Sequence, residues 1–235
     1  GPFLFERLHA RSAAQTNATQ MTDKRPHDHP IRGRFNSWLL AKYEDDFHEE
    51  MGERKQRHIG GLRGVVVEIG AGNGVNFRYY APGVQLIVYE PNPWMHERLR
   101  QAAGKHALNC ELRPVSAGEL DLPAQSVDAV VCTLVLCTVE DPGQILREVQ
   151  RVLKPGGAFF FLEHVAAPRG SGLRRVQDIL MKPWHWLFEG CHTNRESARL
   201  LEAAGFERVE IEHFRSRKMP PVIVPMISGI AYRQR

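Results

Sequence analysis

Several common features are scarce or missing in this 235-residue chain. No stretch approaches the roughly 18 consecutive apolar residues of a membrane-spanning helix. Near the N-terminus the longest apolar segment, Phe35 to Ala41, is far too short. The four cysteines, at 110, 132, 137 and 191, contain no C-x-x-C pair. That argues against a disulfide framework and favours free thiols in a reducing cytosol. There is no run of five like charges, and 31 Lys and Arg face 27 Asp and Glu, a net charge of +4. A strong nucleic-acid stripe is thereby excluded. Internal repeats and low-complexity tracts are also missing.

The remainder is ordinary for a folded enzyme: 43% hydrophobic and 25% charged, enough for one domain with a full core. Residues 1–20 begin Gly-Pro and end just before Met21, which reads as an expression remnant ahead of a native start. Residues 21–60 read as an arm and a helix, and 61–235 as the main domain. His27 and His29 stand beside prolines and read as a mobile arm, so no metal site is expected. Arg174, Arg175, Lys182, Arg215, Arg217 and Lys218 form either a solvated basic face or a patch for an anionic surface. A peripheral membrane contact stays open, as does the oligomeric state.

The richest signal is Val65-Val66-Val67-Glu68-Ile69-Gly70-Ala71-Gly72-Asn73-Gly74. A buried strand runs into a glycine turn that lets the backbone approach a ligand closely. Sixteen residues after Gly74, Glu90 ends a second apolar run, placed to accept from two ribose hydroxyls. A dinucleotide fingerprint needs a third glycine where this chain has Val75.

Periodicity fills in the rest. Phe35, Leu39, Tyr43 and Phe47 recur every four residues and predict one helix over 34–59. Strands are predicted at 64–69, 84–89, 109–113, 127–132 and 158–162. Val209–Phe214 and Ile227–Tyr232 form a terminal pair. Helices are predicted from Gly74 to Pro82, from Pro93 to Ala103, from Asp141 as N-cap to Leu153, and from an Asn194 or Thr193 cap to Gly205. The alternation gives an α/β fold, doubly wound, with a mainly parallel seven-stranded sheet and an antiparallel terminal hairpin. Residues 165–192 interrupt the alternation with Trp184, His185, Trp186, Phe188, Cys191 and His192. Ligands bind at the carboxyl ends of strands in such sheets, so this insertion reads as a substrate lid, with simple packing as the alternative.

The segment from Glu68 to Gly74 with Glu90 resembles the Rossmann-like class I S-adenosylmethionine-dependent methyltransferases. Ser116-Ala117-Gly118-Glu119-Leu120 and the Leu-Lys-Pro-Gly-Gly turn at 153–157 resemble them too, the latter as in the ubiquinone-biosynthesis type. Longer stretches resemble the microsomal alkyl thiol methyltransferases of animals. These are Val127 to Val139, Gly156 to Ala166, Asn76-Phe77, Pro91-Asn92-Pro93, Gly190-Cys191 and Thr193-x-Arg195-Glu196-Ser197. Two departures stand out. The hydrophobic N-terminal anchor of the animal enzymes has no counterpart here, which points to a cytoplasmic protein, and Ala71 and Asn73 replace the usual Cys and Thr.

The resemblance implies S-adenosyl-L-methionine as cofactor, held by Glu68, Gly70, Ala71, Gly72, Gly74, Asn76, Glu90, Pro91, Ala117, Gly118, Glu119, Thr133 and Leu134. It implies methyl transfer to a small-molecule acceptor, a lipophilic thiol or sulfide. O-, C- or N-methylation of a quinone, phenol or lipid is the alternative. Nucleic acid is not the expected substrate, because Cys132-Thr133-Leu134-Val135 stands where an Asn/Asp-Pro-Pro-Tyr/Phe motif would be.

In-line methyl transfer depends on alignment, which supplies about 7–11 kcal/mol. A thiol with pKa about 8.5 needs only modest help to ionise. His164, just beyond the fifth strand, is the first candidate base, and a backbone hydrogen bond is its structural alternative. His185 and His192 follow. Trp184, Phe188 and Cys191 are the candidate acceptor wall, Cys191 without a covalent role.

Overall fold

The computed structural model describes residues 29–118 and 120–235. The expected remnant over 1–20, His27 and Glu119 lie outside the described residues. The centre is a seven-stranded sheet in the order β3-β2-β1-β4-β5-β7-β6. Its strands are β1 (Val65–Ile69), β2 (Gln85–Tyr89), β3 (Asn109–Arg113), β4 (Val127–Thr133), β5 (Leu153–His164), β6 (Arg208–Arg215) and β7 (Pro225–Tyr232). The first five pair in parallel; β7 runs antiparallel to β5 and β6. The sequence predicts this sheet, including its hairpin edge.

Alternate residues of each inner strand enter two cores, as a doubly covered sheet requires. On one face Val67, Ile69, Val130, Cys132, Phe159 and Phe161 pack with Ile145, Leu146, Val149 and Val152 of α4 (Pro142–Val152). On the other, Val66, Leu86, Val88, Val131, Phe160 and Leu162 pack with Met51 and Ile59 of α2 (Glu44–Ile59) and Leu99 of α3 (His96–Lys105).

Several elements differ from expectation. The single helix over 34–59 is two, α1 (Pro30–Lys42) and α2, broken at Tyr43. Glu44, Asp45 and Asp46 load the first turn of α2 with acid, which favours a new N-terminus there. The helix expected after Gly74 is only a 3-10 turn, Phe77–Tyr79. The Asn76 side chain is drawn inward onto Glu68 and Thr133, and Pro82 closes the short segment. Asp141 caps α4 as predicted, accepting from the Gln144 amide at 3.0 Å. Neither Thr193 nor Asn194 caps α6 (Ser197–Ala203), whose N-cap position is Glu196. Their side chains instead tie down α5 (Gly172–Leu187): Thr193 donates to the Gln177 carbonyl and Asn194 to Asp178, both at 2.7 Å. Strand β5 is longer than predicted because Leu153 pairs with Val127 before a register irregularity. Among the described residues no helix is long and apolar enough to cross a membrane.

Candidate active site

The order β2-β1-β4 makes β1 and β4 neighbours whose following segments leave toward opposite faces. That opens a crevice at their carboxyl ends. The glycine turn lies there, with φ of 65°, 57° and 81° at Gly70, Gly72 and Gly74. Gly70 donates to the Tyr89 carbonyl at 2.7 Å, and a side chain at this position would collide with Val135 beyond β4. Ala71 is buried and its carbonyl accepts from Gly74.

Glu90 is 5% exposed. One carboxylate oxygen accepts from the Gly72 amide at 2.7 Å, the other from the Asn92 amide at 2.8 Å. Each oxygen keeps a further lone pair. Burial pushes the Glu90 pKa up to about 7, against the pull of those two amides.

Glu68 is wholly buried, one oxygen on Asn76 Nδ2 and the other on the Tyr80 hydroxyl, both at 2.8 Å. Burial raises it to about 6, opposed by Asn76, Tyr80 and Lys55. Lys55, buried on α2, is pushed down to about 8. Both partners of Glu68 come from the chain itself, so the residue orders the turn; Asn76 also donates to Thr133 Oγ1 at 3.0 Å.

A third carboxylate was not visible in the sequence. Glu189, just past α5, is buried with φ 49° and accepts from Asn92 Nδ2 at 3.1 Å. Burial lifts it to about 7. Its other oxygen, like Asn76 Oδ1, is buried with no partner among the described residues. Pro91 joins Glu90 to Asn92, and Ala117 sits in the core beside Gly118. Leu134, at φ 59°, donates to the Leu162 carbonyl. Orphaned acceptors and spare lone pairs around a glycine turn suit a ligand rich in donors, with ribose hydroxyls and an ammonium. S-adenosylmethionine fits that description.

Two helices close over this turn. On α1, Asn73 Nδ2 and Arg98 both donate to the Ser37 carbonyl, at 2.8 and 2.9 Å, and Leu40 lies above Gly72. At the end of α5, Asn36 donates to the Leu187 carbonyl and Phe35 packs on Phe188 with centroids 6.4 Å apart. Residues 30–42 therefore form part of the cover.

The ends of β4 and β5 carry different chemistry. His164, the last residue of β5, is 2% exposed. Its Nε2 is 3.0 Å from Cys191 Sγ, which is 3.8 Å from Cys137 Sγ. Trp184 Nε1 donates to Cys191 at 3.3 Å. Gly190 makes this approach feasible: at φ 104° it stands where a Cβ would lie 2.9 Å from the Thr138 carbonyl oxygen. Glu163 faces the other way and accepts from the amides of Val135, Leu136 and Cys137, fixing the loop that carries Cys137.

The Cys191 thiol is held well below its ordinary value by hydrogen bonds from Cys137, His164 and Trp184, against the cost of burial. Burial pushes Cys137 up. Burial also opposes charge on His164, but Cys191 and Glu163 outweigh it and the imidazole lies above its ordinary value.

The other predicted residues are placed less centrally. His185 is exposed on α5, its ring 4.8 Å from that of His192. His192 is half-buried, accepts from Arg195 at 2.9 Å, and is held below its ordinary value by burial and Arg195. Trp184 and Phe188 pack with centroids 4.2 Å apart and planes tilted by 35°, whereas Trp186, at 60% exposure, faces solvent.

The chain is similar to known methyltransferases in sequence and in fold. Residues 67–161 match the family described as methyltransferase domain. A human thiol S-methyltransferase, TMT1A, is 37% identical over 207 residues, 83% of this chain and 85% of its own length. The human thiol S-methyltransferase TMT1B is 35% identical, over 87% of this chain and 88% of its own. A solved S-adenosylmethionine-dependent methyltransferase from Thermotoga maritima superposes with a TM-score of 0.59 at 20% identity, covering 86% of this chain and 100% of that one.

Proposed function

Because the chain belongs to the thiol S-methyltransferase family of S-adenosylmethionine-dependent enzymes, we propose that it methylates the sulfur of a small lipophilic thiol or of sulfide. The observation that carries this reading is the identity to thiol S-methyltransferases over more than four fifths of the chain. The soft, sulfur-rich wall at the ends of β4 and β5 supports it.

When bound, S-adenosylmethionine supplies an electrophilic methyl group on a sulfonium. Glu90 would accept from the ribose hydroxyls, with Gly70, Ala71, Gly72, Gly74 and Pro91 forming the backbone around them. Asn76 Oδ1 offers an acceptor to an ammonium at the end shaped by Glu68, Thr133 and Leu134, while Glu189, held on Asn92 beside Glu90, adds an acceptor at the ribose end. Ala117, Gly118 and Glu119 are proposed for the adenine. Trp184 and Phe188 would enclose the acceptor and exclude water. His164 acts on the acceptor through the cluster it forms with Cys137 and Cys191, because Nε2 already faces Cys191. His192 follows it as a proton acceptor, and the exposed His185 is placed only to pass a proton between His192 and solvent.

The reading extends to a peripheral contact with an anionic membrane surface, from which a lipophilic acceptor would enter. On α5, Val176, Ile179, Leu180 and Trp186 are exposed beside Arg175 and Lys182, the composition of an interfacial helix.

Methyl transfer from labelled S-adenosylmethionine to a panel of thiols, sulfide, phenols and amines tests the proposal. Selective labelling of thiols is expected. Labelling confined to phenols or amines overturns the acceptor assignment and leaves the cofactor site standing.

A further inference from the structure

The cluster of Cys137, His164 and Cys191 has more donor chemistry than a pocket wall needs. Three soft or borderline ligand atoms lie within 4.8 Å of one another, all from buried residues. They come from three separate elements: the loop after β4, the end of β5 and the segment after α5. Packing alone favours apolar residues at such a junction, since burying polar groups without partners is costly. Here His164 Nδ1 is buried with no partner among the described residues.

The sulfur–sulfur spacing matches a tetrahedral ion. Two sulfurs each about 2.3 Å from zinc stand about 3.8 Å apart, and Cys137 and Cys191 Sγ are separated by 3.8 Å. A nitrogen and a sulfur on the same ion stand about 3.5 Å apart. The imidazole, now at 3.0 Å from Cys191 and within 4.8 Å of Cys137, needs to draw back from the first sulfur by about half an ångström and come to about 3.5 Å from the second, an adjustment made by rotation of the ring. Two thiolates also balance a divalent charge, so the loaded cluster is neutral and tolerates burial. Thiolate and imidazole donors together select zinc over the oxygen-seeking cations.

We propose that Cys137, His164 and Cys191 form a zinc site whose fourth position is open to the sulfur of the methyl acceptor. Three protein ligands with one open position is the pattern of a catalytic rather than a structural site. The location suits this role, because Val135, two residues before Cys137, packs against Gly70 of the glycine turn.

The second half of the proposal rests on the thiol reading above. There an incoming thiol displaces water, releases its proton to solvent and is held as a thiolate. A sulfur lone pair then forms the new bond to the methyl carbon. The methyl–sulfonium bond breaks and leaves its electron pair on the cofactor sulfur. Bound metal lowers the pKa of a coordinating thiol enough to deprotonate it.

Cobalt is the probe, added to the full chain under a non-coordinating reductant after removal of adventitious metal. One cobalt per chain is expected, with sulfur-to-cobalt charge transfer and the ligand-field bands of a tetrahedral site. Cys137→Ser, Cys191→Ser and His164→Ala are each expected to abolish stoichiometric binding, while Cys110→Ser, on β3, keeps it. The spectrum of the unaltered protein stands even if a variant fails to fold. Failure of that protein to retain zinc or cobalt on dialysis overturns the site.

A small thiol, and not a phenol, is expected to shift the cobalt bands. Bands that ignore thiols, or full-rate thiol methylation by metal-free protein, overturn the open-position role. Thiols that shift the bands but are never methylated overturn the functional reading and leave the site intact.

Discussion

The two halves of the crevice are built from opposite materials. At the ends of β1 and β2 stand the carboxylates Glu68, Glu90 and Glu189, with amides and glycines around them. At the ends of β4 and β5 stand two thiols and an imidazole backed by Trp184. The first half is a surplus of acceptors, suited to a ligand that brings donors. The second is a soft nucleophilic surface with few hydrogen-bonding atoms. A transferase needs both, since one half must hold the cofactor while the other handles an unlike acceptor. Binding and turnover should therefore separate under mutation.

Breaking the first half gives the largest effect on binding. On the reading proposed above, Glu90→Ala removes two ribose contacts, each a charge-assisted hydrogen bond, and should weaken the cofactor by about 3 kcal/mol or more, at least ~10²-fold. Calorimetry showing unchanged affinity removes Glu90 from the ribose. Breaking the second half should leave affinity within about twofold while turnover falls by roughly 10²-fold for His164→Ala. Equal losses in both quantities would erase the division of labour.

Gly190→Ala tests how the second half is held together. A Cβ at φ 104°, pressed on the Thr138 carbonyl, should cost about 2–3 kcal/mol. In a domain of this size that lowers Tm by roughly 5–10 °C. A Tm within a degree of the parent would show that the 190–191 turn relaxes freely. Cys191 is then held by its side-chain partners and its amide bond to the Phe188 carbonyl.

The pH dependence sharpens the first half. Glu90 and Glu189 are raised to about 7 in the ligand-free fold and Glu68 to about 6. A carboxyl raised in this way holds its proton more tightly folded than unfolded. Its contribution to stability is full below the unfolded value near 4.5 and is lost as pH rises through 6 to 7. The ligand-free protein should thus melt at lower temperature at pH 8 than at pH 5.5. With Glu90 on the ribose as proposed, cofactor affinity should run the other way, because only an ionised Glu90 can accept from both hydroxyls. A group with pKa about 7 implies an affinity about tenfold weaker at pH 6 than at pH 8. A flat profile separates Glu90 ionisation from binding.

How legible this was in the sequence also differs between the halves. The glycine turn and Glu90 were readable because local backbone demands fix residue type at fixed spacing. The sheet was readable because strands covered on both faces are unbroken apolar runs. Glu189 was hidden: it lies in the turn just past α5, and only the fold brings it beside Asn92. The sulfur cluster was hidden for the same reason, since Cys137, His164 and Cys191 have no ligand spacing along the chain. The missing helix after Gly74 and the uncapped start of α6 share one cause. In each case a polar side chain that would serve locally, Asn76 or Thr193, is drawn to a tertiary partner.

The three histidines of the second half give the finest contrast, and the smallest expected effect. Sequence alone ranks His164, His185 and His192 on proximity to the fifth strand and the insertion. The fold separates them by surroundings. His164 is buried against two thiols, His192 is half-buried against Arg195, and His185 is exposed on α5. An exposed imidazole is freely hydrated and reaches the crevice only through its edge contact with His192. His185→Ala should accordingly change turnover by less than about twofold and leave the pH profile in place, as surface substitutions away from a site do. A loss comparable to that of His164→Ala would mean that α5 turns His185 inward during the reaction, and the soft half would then extend along the helix instead of ending at Cys191.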